Sequence, residues 1–225
     1  MIEPAGDRLV KSLERRFRTI KSRIDVAGRE VTLLHPESAE DLIDERDFER
    51  DERLPYWAEI WPSSRVLAAH LLEMNARGRT LLELGCGAGL VATAASLGGF
   101  RVTVSDYYED ALRFARANAW LNDVPEPDTM LIDWRALPEK APRFDVVVAS
   151  DVLYEREYGT LVPEAIAALL DDAGTAYLAD PGRVGREEFL RSLTSCGLVL
   201  RSTTEHRFAE AAVRQTITIY EIARR

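Results

Sequence analysis

The 225-residue sequence predicts an α/β protein built on a doubly wound, mainly parallel sheet. Three observations lead there. From Thr80 onward short apolar runs alternate with helical stretches, as in βαβ units. The runs are continuously apolar, as strands covered by helices on both faces are, and a glycine-rich turn follows the first of them. The apolar runs are Thr80–Leu84, Arg101–Ser105, Thr129–Asp133, Phe144–Ser150 and Thr175–Asp180. The helical stretches between and after them are Leu90–Leu97, Asp110–Leu121, Leu161–Leu170 and Glu187–Ser195. Leu198–His206 and Val213–Ile222 break the alternation, because Arg207–Ala212 leaves no room for a crossover helix. These two runs are expected as an antiparallel C-terminal hairpin that completes a seven-stranded sheet.

Residues 1–55 read as an N-terminal helix and hairpin appendage, and 56–225 as one ligand-binding domain. Leu9, Leu13, Phe17, Ile20 and Ile24 recur at helical steps, which predicts an amphipathic helix over at least the first half of that stretch. Arg23–Val26 and Glu30–Leu34 flank Ala27-Gly28-Arg29 as a short hairpin would. Asp44–Arg53 holds nine charged residues in ten, of mixed sign, and reads as a solvated helix or loop.

The net charge of −9, from 29 Lys and Arg against 38 Asp and Glu, argues against a nucleic-acid partner. It is unevenly spread: residues 1–24 carry +4 and residues 25–54 carry −7. Glu3, Asp7 and Glu14 depart from the acid-poor pattern of a transit peptide, so the basic arm is expected to dock on the domain. No apolar stretch approaches the ~20 residues of a spanning helix, and no stable membrane association is expected. Cys86 and Cys196 are too few for a disulfide framework and lack zinc-site spacing, which points to a reducing cytoplasm and no metal. His35, His70 and His206 fall in no shared motif, and no Ser-His-Asp spacing supports hydrolysis.

The chemistry concentrates at strand ends. Leu81-Leu82-Glu83-Leu84-Gly85-Cys86-Gly87-Ala88-Gly89 closes the first strand and opens a helix, where glycines let backbone approach a ligand and the helix presents free amides. Leu90 stands where a dinucleotide fingerprint needs its third glycine, and the Gly-Lys-Ser/Thr of a P-loop is missing. The second strand ends in Asp106, 21 residues after Gly85, where a carboxylate can accept hydrogen bonds from ribose hydroxyls. The third ends in Asp133-Trp134.

An acid two residues before Gly-x-Gly-x-Gly, with Asp106 and Asp133 on the next strand ends, closely resembles the class I methyltransferases, which share a Rossmann-like fold and use S-adenosylmethionine. The resemblance implies that Glu83 faces the cofactor's amino group, directly or through water. It implies that Gly85 and Gly87 admit the methionine moiety, that Asp106 grips the ribose, and that Asp133 and Trp134 border the adenine. Cys86 lies in the loop as a buried thiol rather than a nucleophile. Tyr107 and Tyr108 either cover the ribose or adenine or form a surface pair. Tyr56-Trp57-Ala58-Glu59-Ile60-Trp61-Pro62 ahead of the loop and Ser150-Asp151-Val152-Leu153-Tyr154 after the fourth strand narrow the likeness to methyltransferase family 16, the seven-strand protein lysine methyltransferases. Asp180-Pro181-Gly182-Arg183 is similar to the branch that acts on the electron transfer flavoprotein beta subunit. On that likeness Trp61 and Ser150 line the cofactor site, and Asp151 and Tyr154 the acceptor site. Core packing accounts for Trp57 equally well. The Asn/Asp-Pro-Pro-Tyr of enzymes that methylate DNA bases or glutamine is missing.

The function these residues imply is S-adenosylmethionine-dependent N-methylation, with S-adenosylhomocysteine as product and a protein lysine as acceptor. An unperturbed lysine amine has a pKa near ~10.4, and a carboxylate favours its charged form, so Asp151 reads as a positioner of the incoming ammonium rather than an activator. A small-molecule N-methyltransferase of the nicotinamide type, or a cofactor-binding interaction protein without turnover, are the alternatives.

Overall fold

The computed structural model describes residues 3–42 and 55–225. Helix α1 (Ala5–Arg16) buries Val10 and Leu13 and carries Arg15 and Arg16 in its last turn, where cations suit the helix dipole. It stops at Phe17, whose backbone is extended. The apolar steps that continue to Ile20 and Ile24 belong instead to β1 (Thr19–Val26), because a step of four is also a multiple of the strand period. Strand β1 pairs antiparallel with β2 (Arg29–Pro36). Ala27 and Gly28 between them take φ +50° and +80°, two left-handed residues as a type I′ turn requires. The charged segment Asp44–Arg53 lies outside the described residues.

The main sheet comprises β3 (Thr80–Leu84), β4 (Arg101–Asp106), β5 (Asp128–Leu131), β6 (Phe144–Ser150), β7 (Leu170–Asp180), β8 (Leu198–Glu210) and β9 (Val213–Arg224). Its order is β5-β4-β3-β6-β7-β9-β8, with β3 to β7 parallel and β9 antiparallel to both β7 and β8. The chain steps outward from β3 through β4 to β5, then returns to β6 on the other side of β3. Ligands in such sheets bind at that reversal, beyond the carboxyl ends of the strands.

Helices α2 (Pro62–Glu73), α3 (Leu90–Leu97) and α4 (Glu109–Leu121) cover one face, while α5 (Tyr158–Leu169) and α6 (Arg186–Ser195) cover the other. The helix over 62–73 is not among those the sequence pattern predicts. Pro62 occupies its first position, where the missing N–H costs nothing. The hairpin is not peripheral to the core: Ile24, Val26, Val31 and Leu33 pack with Leu67 and Leu71 of α2 and with Val91 of α3. A smaller cluster joins Val10 and Leu13 of α1 to Leu34, Phe114 and Ala117. Asn118 of α4, fully buried, ties these parts together. Its side chain accepts from Leu34 N–H at 2.7 Å and donates to the carbonyls of Leu34 and Ala88, each at 2.8 Å. Asn122 repeats the pattern on Thr32.

The terminal hairpin is longer than expected, with only Ala211-Ala212 at its turn. Only Thr218–Ala223 of β9 lie against β7, and the remainder reaches back to α2. There Arg65 bonds Glu210 and stacks over the Phe208 ring, 5.5 Å from its centre. Among the described residues no helix is long and apolar enough to cross a membrane.

Candidate functional site

The cleft lies at the carboxyl ends of β3, β4 and β6, roofed by the segment before α2, and spans about 1050 Å³ counting its open mouth. Twelve residues expected at the site from the sequence line it: Trp61; Glu83, Gly85, Cys86 and Gly87; Asp106 and Tyr107; Asp133 and Trp134; and Ser150, Asp151 and Tyr154.

The glycine loop is shaped by its own backbone. Gly85, Gly87 and Gly89 have φ of +68°, +51° and +83°, conformations L side chains disfavour. A Cβ on Gly87 would stand 2.8 Å from the Trp57 carbonyl oxygen, and one on Gly89 would stand 2.7 Å from Ala115. The loop therefore packs directly under the roof and against α4. Trp57 divides its role: its ring packs on Phe114, centres 5.6 Å apart, while the residue also borders the cleft.

Asp106 holds two loops at once. One carboxylate oxygen accepts from Gly87 N–H and the other from Tyr108 N–H, both at 3.0 Å. Burial raises its pKa to about 6, against the opposing pull of those amide donors. Glu83 is buried with Oε2 unpartnered, and burial, with Asp106 nearby, pushes its carboxyl well above the usual carboxylate range. Burial likewise raises the Cys86 thiol, whose Sγ contacts the Gly87 carbonyl at 3.6 Å, so it is no poised nucleophile.

Beyond the glycine loop the walls are aromatic. Tyr154 meets Tyr56 and Tyr158 edge-on, with centres 5.1 and 5.0 Å apart, and Tyr158 meets Trp134 at 5.3 Å. Trp61 closes the row against Tyr56 and donates its Nε1–H to the Tyr56 carbonyl. Burial, then the neighbouring Tyr158, raises the Tyr154 hydroxyl, so it stays protonated. Tyr56 and Tyr158 were not singled out from the sequence. Tyr158 is the first residue of α5 and Tyr154 lies in the preceding loop, so no sequence periodicity links the two.

Asp151 departs from a free ammonium anchor. It has φ +60° and lies buried, and Oδ1 accepts from Arg183 Nε at 2.5 Å while Oδ2 has no partner. Arg183 in turn stacks over Trp61, 5.0 Å from the ring centre.

The chemistry of the donor set fits S-adenosylmethionine. A buried carboxyl with an unpartnered oxygen suits an α-ammonium, a second carboxylate on the neighbouring strand suits a ribose diol, and the aromatic side chains suit flat or cationic groups.

A family model described as lysine methyltransferase matches residues 47–195. The electron transfer flavoprotein beta subunit lysine methyltransferase of Xenopus laevis is 32% identical over 136 residues, covering 57% of this chain and 53% of that protein. The chain thus spans about half the length of the relative it matches. Among solved structures, the ribosomal protein L11 methylase of Lactobacillus delbrueckii subsp. bulgaricus has a TM-score of 0.59 at 19% identity, covering 74% of this chain and 81% of that one. Magnesium protoporphyrin IX methyltransferase of Synechocystis, solved with bound S-adenosylmethionine, has a TM-score of 0.58 at 21% identity, covering 82% and 94%. At those identities the two structures share the fold.

Proposed function

This chain belongs to the lysine methyltransferase family, and from that premise we propose that it is an S-adenosylmethionine-dependent N-methyltransferase acting on the ε-amine of a lysine in a protein. The observation that carries the reading is a single cleft in which the cofactor marks of β3, β4 and β5 meet Asp151 and an aromatic wall. When bound, S-adenosylmethionine supplies a methyl carbon activated by its sulfonium: the amine lone pair forms the C–N bond as the C–S pair returns to sulfur, leaving neutral S-adenosylhomocysteine.

The chain's own residues bind and orient. Glu83 takes the cofactor's ammonium, Asp106 its ribose, and Trp134 with Asp133 its adenine. Trp61, Tyr107, Ser150 and the glycine loop with Cys86 enclose the rest. Tyr56, Tyr154 and Tyr158 form an aromatic wall against which a slender aliphatic chain packs away from water. Glu59 and Glu155, also lining the cleft, attract a cation towards that wall. Positioning is the main contribution such a site makes.

Incubation of the purified protein with labelled S-adenosylmethionine and a cell lysate should label a discrete protein band, with mass spectrometry locating the methyl on lysine Nε. Asp151→Ala should lower labelling by about 100-fold while S-adenosylhomocysteine binding stays within a few-fold. Label confined to small metabolites would overturn the protein acceptor and favour a small-molecule N-methyltransferase.

A further inference from the structure

Asp151 and Arg183 come from different loops, yet the fold fixes them against each other. The turn carrying Arg183 is held by Asp180, whose carboxylate accepts from Gly182 N–H at 2.7 Å and Arg183 N–H at 3.1 Å. The loops after β6 and β7 then meet backbone to backbone: Gly185 N–H donates to the Leu153 carbonyl, and a Cβ on Gly185 would stand 2.9 Å from that oxygen. Asp151 N–H donates to the Ala179 carbonyl, and its left-handed backbone turns the carboxylate toward the guanidinium. The side chain of Asp151 is 2% exposed and that of Arg183 33%; Asp151 and Trp61 line the cleft, and Arg183 backs them, paired with the acid and stacked on the Trp61 ring.

A lone buried carboxylate would hold an entering amine as ammonium, which has no lone pair to attack with. The observed pair has no net charge. Resting on the reading of the cleft as an amine methyltransferase, we infer that Arg183 is a positioning residue of the acceptor site: it cancels the charge of Asp151, so that Oδ2 receives an N–H hydrogen bond from a neutral amine. The acceptor approaches as ammonium, gives one proton to solvent water at the mouth, and keeps two N–H bonds and a free lone pair. Asp151 accepts one of those N–H groups.

Other charged or titratable groups line the same cleft from each neighbouring element. Tyr154 and Glu155 follow β6, and Tyr158 stands on α5. Tyr56 and Glu59 come from the roof, and Glu83 and Asp106 from the deeper cofactor end. Asp180 stands behind Arg183, its carboxylate engaged by the turn's amides. The tyrosine closest to Asp151 in sequence, Tyr154, is held protonated by burial and contributes no charge.

The test uses the full chain saturated with S-adenosylhomocysteine and n-butylamine as a lysine probe, its binding followed by tryptophan fluorescence or NMR from pH 7.5 to 9.5. For the wild type, the apparent Kd in total amine should fall about tenfold per pH unit, as binding of the neutral form demands below a pKa near 10.4. Arg183→Gln should flatten that dependence, because the uncompensated carboxylate accepts ammonium. Arg183→Lys should restore the slope. The double variant D151N/R183Q, which removes the stranded charge if R183Q fails to fold, should also keep it.

A flat wild-type dependence, no amine binding, or an unchanged slope in Arg183→Gln would overturn the inference. In the lysate assay Arg183→Gln should also shift the pH–rate profile upward by about one unit, whereas a merely structural role lowers the rate without moving the profile. Amine binding with the stated slopes but no labelling of any lysate would instead count against the proposed function alone.

Discussion

Gly87 shows how one missing side chain carries both conformation and contact. Its φ of +51° and the Trp57 carbonyl 2.8 Å from any Cβ exclude larger residues. Gly87→Val should therefore abolish S-adenosylhomocysteine binding in calorimetry and lower Tm by about 5 °C or more. Gly28, equally left-handed but with open space around it, is the control: Gly28→Ala should cost about 1 kcal/mol and leave binding unchanged. Asp106 makes a pH prediction. Its pKa is raised on folding, from 3.8 to about 6, so its contribution to stability is full below the unfolded value and lost as pH rises through about 6. The ionised carboxylate thus costs the ligand-free protein about 3 kcal/mol above that point. Ribose hydroxyls favour the ionised form, so affinity for S-adenosylhomocysteine should strengthen between pH 5 and pH 7. Asp106→Asn should bind weakly and lose that step; calorimetry across the range checks both. The cleft residues at the strand ends were legible because each follows an apolar run at a fixed place. The bond between Asp151 and Arg183 was not, since two loops 32 residues apart meet only in the folded chain.

At the scale of elements, Asn118 decides how the hairpin attaches. A polar residue on an amphipathic helix reads as surface in sequence, yet here it completes the open edge of β2 and fixes the Ala88 carbonyl of the glycine loop. Asn118→Leu would leave those groups buried without partners, at about 3 kcal/mol. That corresponds to a Tm lower by roughly 6–12 °C, readable by calorimetry. Parallel strands were the most legible elements: β3 and β6 match their expected bounds because helices on both faces demand unbroken apolar runs. Less legible were elements whose pattern fits two readings. Ile20 and Ile24 satisfy helix and strand alike, and Leu170, expected to close α5, instead opens β7. Helix α2 was less legible because Trp61 at its N-cap makes no side-chain capping bond, so no polar cap marks its start.

For the whole molecule, the division at residue 55 is one of chain rather than of core, since the hairpin contributes Val31 and Leu33 to the main cluster. The full chain should therefore unfold in urea in one transition, with tryptophan fluorescence and far-ultraviolet circular dichroism coincident. A chain lacking residues 1–36 should lose that cooperativity; two separate transitions in the full chain would contradict a shared core. The overall charge of −9 is mirrored locally by the Glu59 and Glu155 carboxylates of the cleft wall, while Arg183 pairs with Asp151. The position of β9 bears on how the protein is made. Of the described strands it is the last to leave the ribosome, yet it lies inside the sheet, between β7 and β8. Until Thr218–Ala223 emerge, β7 presents an open hydrogen-bonding edge beside a finished parallel half. Nascent chains stalled before that point should be the species that chaperones hold and that aggregate when chaperones are scarce.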